Sequence, residues 1–156
     1  MSAVALQALI KQESALLGDF IVLLGKEQEA LKRADAAALP ELGEAKSQLV
    51  DQLNALEISR AKALGQTEAT LAPEAVLGRL TALPGGQALV ERWKDLLELA
   101  RQAKQLHEQN RQLLQMHLQQ TSELLAALTR KAERQTLYGS NGQAQLNTGS
   151  RIVDSA

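Results

Sequence analysis

The residues that could do chemistry are few and far apart. The chain has 156 residues, two His, no Cys, and 18 Asp+Glu against 17 Lys+Arg. His107 and His117 stand ten residues apart in one helical stretch. Ten steps of 100° place them about 80° apart around the axis and about three turns apart along it, too far to share a metal ion. Neither has a carboxylate at i±3 or i±4, and His107 has Arg111 one turn on. Each reads as a seam or surface residue. No Ser lies in a strand-turn-helix elbow, and no Gly-x-x-x-x-Gly-Lys phosphate loop is present. The carboxylates are spread over helix faces with no marked pair. The sequence therefore predicts a protein that is not an enzyme, with no catalytic residue, no cofactor and no metal.

Nucleic-acid and membrane chemistry are also poorly supported. The net charge is −1, which gives no general attraction to polyanions. The nearest basic cluster, Arg130-Lys131 with Arg134, fits the end of a helix, where cations meet the negative pole of the helix dipole. No row of aromatic residues offers a stacking platform for bases. No stretch approaches the ~18 apolar residues of a membrane span, so direct membrane insertion is not expected. Met1 to Ile10 lacks the basic start and small-residue cleavage site of a signal peptide. Without Cys there can be no disulfides or thiolate metal sites, which fits a reducing compartment.

What remains is helix surface. Leu (30) and Ala (25) dominate the apolar residues, whereas Val, Ile, Phe, Tyr and Trp together number 13. Leu and Ala favour helices, and strands draw on β-branched and aromatic residues. The composition predicts an all-α fold: an elongated antiparallel helical bundle or coiled coil of three long helices and one short one. The helical domain would cover residues 1–138, with a mobile, disordered C-terminal tail over 139–156.

Punctuation divides the helices at about 2–35, 40–64, 73–82 and 87–136. In the first, Leu6, Glu13, Phe20, Glu27 and Ala34 form one row of a seven-residue repeat. Leu9/Ile10, Leu16/Leu17, Leu23/Leu24 and Ala30/Leu31 form the other. A period near 3.5 favours long, nearly aligned helix packing. Glu13 and Glu27 interrupt the seam, so they either lean to its edge or meet Lys/Arg on a neighbour. Pro40 opens the second helix, whose stripe is Leu42, Ala45, Leu49, Leu53, Leu56 and Leu64, with Gly65 as its cap. Thr70 to Ala72 lead into Pro73-Glu74 and a short helix that would bury Val76, Leu77, Leu80 and Leu83, before the turn Pro84-Gly85-Gly86.

The last helix repeats through Leu89, Trp93, Leu96/Leu97, Ala100, Ala103, Leu106/His107 and Asn110, and it outruns its partners. First and second helices of about 34 and 25 residues cannot cover some 50. Leu113, Leu114, Leu118, Leu124, Leu125 and Leu128 are therefore expected to be partly uncovered, and exposed apolar stripes mark partner sites. Weak self-association through the same stripe is the competing use. Tyr138, the lone Tyr, lies where helix meets tail. It either staples the helix end, with Gly139 as cap, or anchors a partner. Gly139 to Ala156 shows no periodicity and is too polar to offset the entropy of ordering.

Three features carry a family resemblance: Glu91-Arg92-Trp93 at the start of the final helix, the segment Gln109-Asn110-Arg111-Gln112-Leu113-Leu114, and Thr136-Leu137-Tyr138-Gly139-x-x-Gly142-Gln143 after it. With the leading Leu-heptad helix and the absence of Cys, the sequence resembles the FlgN family of bacterial flagellar type III export chaperones. The resemblance implies a cytosolic chaperone for the hook–filament junction proteins FlgK and FlgL, held at their helical C-terminal ends and delivered to the export-gate component FlhA. By the same resemblance, client binding would fall on Leu113 to Leu128 and gate docking on Tyr138 and Gly139. The alternative is a structural coiled-coil adaptor that self-associates and has no secretion client.

Overall fold

The computed structural model describes residues 3–65 and 72–138. The lead-in Thr70-Leu71, Gly139 and the tail expected to be mobile over 139–156 lie outside them. Every regular element among the described residues is helical. In order these are α1 (Ala3–Lys32), a 3₁₀ turn (Ala36–Ala38), α2 (Leu39–Ala63), α3 (Pro73–Thr81) and α4 (Gly86–Tyr138). The protein is thus an all-α helical bundle. Compaction divides the chain into two units, residues 1–113 and 114–156.

In the first unit the helix ends follow from local chemistry. α1 stops at Ala34, whose φ of +53° places it in the left-handed region. The amide of Asp35 donates to the Ala30 carbonyl at 2.9 Å and that of Ala34 to the Leu31 carbonyl at 3.1 Å. This is a Schellman-type stop with Ala where Gly is usual. Pro40 sits in the first turn of α2, where its missing N–H costs nothing. Gly65, at φ +76°, closes the other end. There Arg79 Nη1 donates to the Leu64 carbonyl at 2.6 Å, so α3 satisfies an acceptor left open by α2. Pro73 starts α3.

The core is built from three helices and lined by the fourth. Leu6, Ile10, Leu17 and Leu24 of α1 meet Val76 and Leu80 of α3 and Leu89, Val90, Trp93, Leu96 and Ala103 of α4. Leu53 and Ala63 of α2 pack against this cluster. In the first three adjacent pairs on α1 the second member is the buried one, Ile10, Leu17 and Leu24, whereas in the fourth both Ala30 and Leu31 are buried. The α2 stripe differs from its expected role. Leu42, Ala45, Leu49, Leu53, Leu56 and Leu64 are only half-buried, and the buried residue of α2 is Arg60. An open groove of about 410 Å³, rimmed by Asp19, Lys26 and Gln48, lies over Val22, Leu23 and Leu49 between α1 and α2. Leu83 is half-buried, and Leu99 takes the inward place expected of Ala100, which is exposed.

Candidate functional site

The glutamates that interrupt the α1 seam both find cations on α2. Glu13 Oε1 accepts from Arg60 Nε at 2.7 Å, and Glu27 Oε2 accepts from Lys46 Nζ at 2.8 Å. The two pairs lie two heptads apart on each helix, so one antiparallel register makes both. A slip of one heptad in either direction would set Leu53 opposite one of the glutamates. α4 completes both layers. The Arg60 guanidinium carbon lies 4.6 Å from the centre of the Trp93 ring, a cation–π contact. Asn110, 2% exposed, donates through Nδ2 to the Leu24 carbonyl at 2.9 Å and to Glu27 Oε1 at 3.0 Å. Its Oδ1 accepts no hydrogen bond among the described residues. Buried polar layers of this kind set register at some cost in stability.

Burial pushes the Glu13 carboxyl above its usual range, against the opposing pull of Arg60. On the exposed face of α4 the shifts run the other way. Hydrogen bonds from Arg101 and then Gln102 lower Glu98 to about 2, and a hydrogen bond from Arg111 lowers Glu108. These are i,i+3 pairs on a solvated helix, which contribute little to stability. The buried polar groups Glu13, Arg60 and Asn110 thus hold helices together, whereas these surface pairs lie within α4 alone. Among the described residues no group of three or more His, Cys, Asp and Glu is arranged to hold a metal ion. No helix among them is long and apolar enough to cross a membrane.

Single exposed apolar residues such as Val4, Val22 and Ile58 stand in the first unit, whereas the second carries a run of them. Leu118, Leu124, Leu125 and Leu128 expose 54–61% of their area, and Leu114 exposes 41%. Leu113, at the end of the first unit, is half-buried. From Gln119 to Leu137 each residue is exposed. His117 is half-buried and its Nε2 has no hydrogen-bond partner among the described residues. His107 is exposed. Tyr138 is the last residue of α4. Met116 and Leu137 are exposed apolar residues of the same segment that the sequence reading left out. Their signal was present in hydropathy but off the leucine period.

The exposed row drifts from the core frame. Counting by sevens from Leu89 through Leu96, Ala103 and Asn110 leads to His117 and Leu124. Leu114, Leu118, Thr121, Leu125, Leu128 and Ala132 keep unbroken 4-3 spacing. Such spacing places them on one helix face. Leu114, Thr121 and Leu128 stay on the count by sevens from Trp93, while Leu118, Leu125 and Ala132 lie one residue beyond the count from Leu89, so the row turns gradually away from the core face. Its flanking positions are Gln115, Ser122, Thr129 and Thr136 on one side and His117, Leu124 and Lys131 on the other. It offers apolar contact edged by amide and hydroxyl groups on one side and by His117, Leu124 and Lys131 on the other, a surface for another helix.

Comparison with known proteins agrees with this picture. The sequence profile of the FlgN protein family matches residues 1–145. A crystal structure assigned to the flagella synthesis protein FlgN of Pseudomonas aeruginosa has the same fold, with a TM-score of 0.63 and 24% identity. The match covers 73% of this chain and 89% of that one. No curated protein sequence matches the chain. With 145 of its 156 residues inside the profile, this all-helical chain belongs to the FlgN family, a flagellar family of chaperone type.

Proposed function

We propose that the chain is a cytoplasmic export chaperone that binds the C-terminal helical ends of FlgK and FlgL and delivers them to FlhA at the flagellar export gate. One observation carries the reading: a leucine row on α4 with more than half of each of Leu118, Leu124, Leu125 and Leu128 in solvent. A soluble chain seldom keeps such a row without a partner for it. Membership of the FlgN family supports the class of partner. The client helix lies along Leu114, Leu118, Leu124, Leu125 and Leu128, with Leu113 at the start of the row, and Tyr138 with Gly139 serves the gate. Burying that row returns about 25 cal/mol per Å² of apolar area, reduced by the cost of ordering and immobilising the client. The balance suits a complex that must later release.

The test is a binding measurement with the double variant Leu124→Asp, Leu128→Asp. The wild-type chain should form a 1:1 complex with a FlgK C-terminal segment. The variant, still helical by circular dichroism, should lose it. Normal binding by the helical variant would place the client elsewhere.

A further inference from the structure

We infer that the exposed row on α4 is occupied, in the absence of a client, by the same row of a second copy running antiparallel. This inference rests on the client reading above and concerns the regulation of that site. The segment Leu114–Ala132 is self-complementary when reversed. With the two-fold axis beside Glu123, Leu118 faces Leu128 of the second copy, Thr121 faces Leu125, and Leu114 faces Ala132. Core positions thus meet core positions throughout, which is what antiparallel helix pairing requires. Leu124, 60% exposed and on the flank of the row, meets its own counterpart across the axis. The reversed arrangement accounts for Leu124 as well as for the row itself.

Orientation follows from the polar residue in the seam. A parallel pair in register would stack Thr121 on Thr121 and leave Leu124 beside the hydroxyl residues of the opposite flank. The antiparallel pair covers each Thr121 with a leucine. Charge agrees. The flanks hold no acidic residue, and the antiparallel pair sets Ser122 beside Ser122 and Gln115 beside Thr129. Its nearest cationic neighbour is Lys131. No strong attraction locks the pair and no dense like charge opposes it.

The area sets its strength. The five exposed leucines leave on the order of 500 Å² of apolar surface per copy, as large as the principal patch of a typical monomer. Pairing removes about 1,000 Å² in all, near the lower bound for a specific interface. The result is a reversible dimer that shields the leucines and yields to a client with a longer complementary helix.

The chain has no Cys, so introduced cysteines report geometry directly. Full-length Thr121→Cys and Leu125→Cys chains are prepared separately, checked for helicity, and oxidised alone or mixed. The mixture should give a disulfide-linked dimer at least tenfold more abundant than either variant alone, and an excess of the FlgK C-terminal segment should suppress it. Sedimentation of the wild-type chain should show a dimer at tens of micromolar that dissociates on dilution. Cross-linking of Thr121→Cys to itself would overturn the antiparallel pairing. A wild-type monomer at about 100 μM that still binds the FlgK segment would overturn the dimer and leave the client reading standing. A dimer that the segment neither binds nor displaces would overturn the competition and, with it, the client reading.

Discussion

Arg60 donates from Nε to Glu13 Oε1 at 2.7 Å while its guanidinium carbon rests 4.6 Å from the centre of the Trp93 ring. Both charged residues are buried, so three helices meet at one ionic layer. Charges taken from water cost several kcal/mol each, and their attraction offsets this only while both are present.

Removing one partner should therefore be worse than removing both. Arg60→Met leaves the Glu13 carboxylate without its cation and is expected to cost about 3–5 kcal/mol. The pair Glu13→Leu, Arg60→Met fills the layer with apolar groups and should lie within about 1–2 kcal/mol of wild type. Urea unfolding followed by circular dichroism measures both. A double variant as unstable as Arg60→Met alone would contradict this account.

Glu13 also predicts a pH dependence. Burial raises its folded pKa above the ordinary 4.5. A raised carboxyl binds its proton more tightly when folded, so its contribution to stability is fully present below 4.5 and is lost as pH rises through the raised value. Glu98 and Glu108 act in the opposite sense, with stability present above 4.5 and lost as pH falls, for Glu98 toward about 2. They are solvated, so their effect is weak. As pH falls from 7 to 4.5, the urea midpoint of wild type should rise relative to that of Glu13→Gln, with unchanged m-values. A constant difference would mean that Glu13 does not titrate differently on folding.

Gly86 should tolerate no side chain. A Cβ there would overlap the Leu80 carbonyl oxygen and approach the Thr81 carbonyl oxygen to 3.1 Å. Both belong to the backbone, which yields only by shifting the α3–α4 turn. Gly86→Ala is expected to cost about 1–3 kcal/mol. Gly18, inside α1, has nothing within 4 Å of a built Cβ. Gly18→Ala should instead gain about 0.5–1 kcal/mol by reducing the freedom of the unfolded chain. Thermal midpoints of the two variants should move in opposite directions.

Tyr138 tests the separation of client from gate. Tyr138→Ala should leave the affinity for the FlgK segment unchanged and weaken binding to the cytoplasmic part of FlhA by about 30-fold, the usual loss for a buried Tyr anchor worth about 2 kcal/mol. Loss of both interactions together would assign Tyr138 to the folding of the helix end.

Much of the fold was legible in the sequence because it is local. Leu and Ala at heptad spacing make helices whatever surrounds them, and Pro40, Gly65, Pro73 and Gly85 mark helix ends through their own backbone preferences. The row from Leu114 to Leu128 was legible for a related reason, since the final helix is longer than its neighbours. The tertiary structure decided what depends on a second chain segment. Adjacent residues such as Leu16 and Leu17 satisfy the repeat equally, and only the side on which α3 and α4 pack determines that Leu17 goes inward. Glu13 and Glu27 were visible as interruptions, but pairing with Arg60 and Lys46 required the register of α1 against α2. Asn110, which read as one more position of the α4 repeat, became a buried bridge to the Leu24 carbonyl. Gly86 read as part of a turn until the Leu80 carbonyl closed over it. Periodicity follows from one helix alone, whereas burial, ion pairing and close approach are properties of two helices in a particular register, which no single stretch of sequence contains.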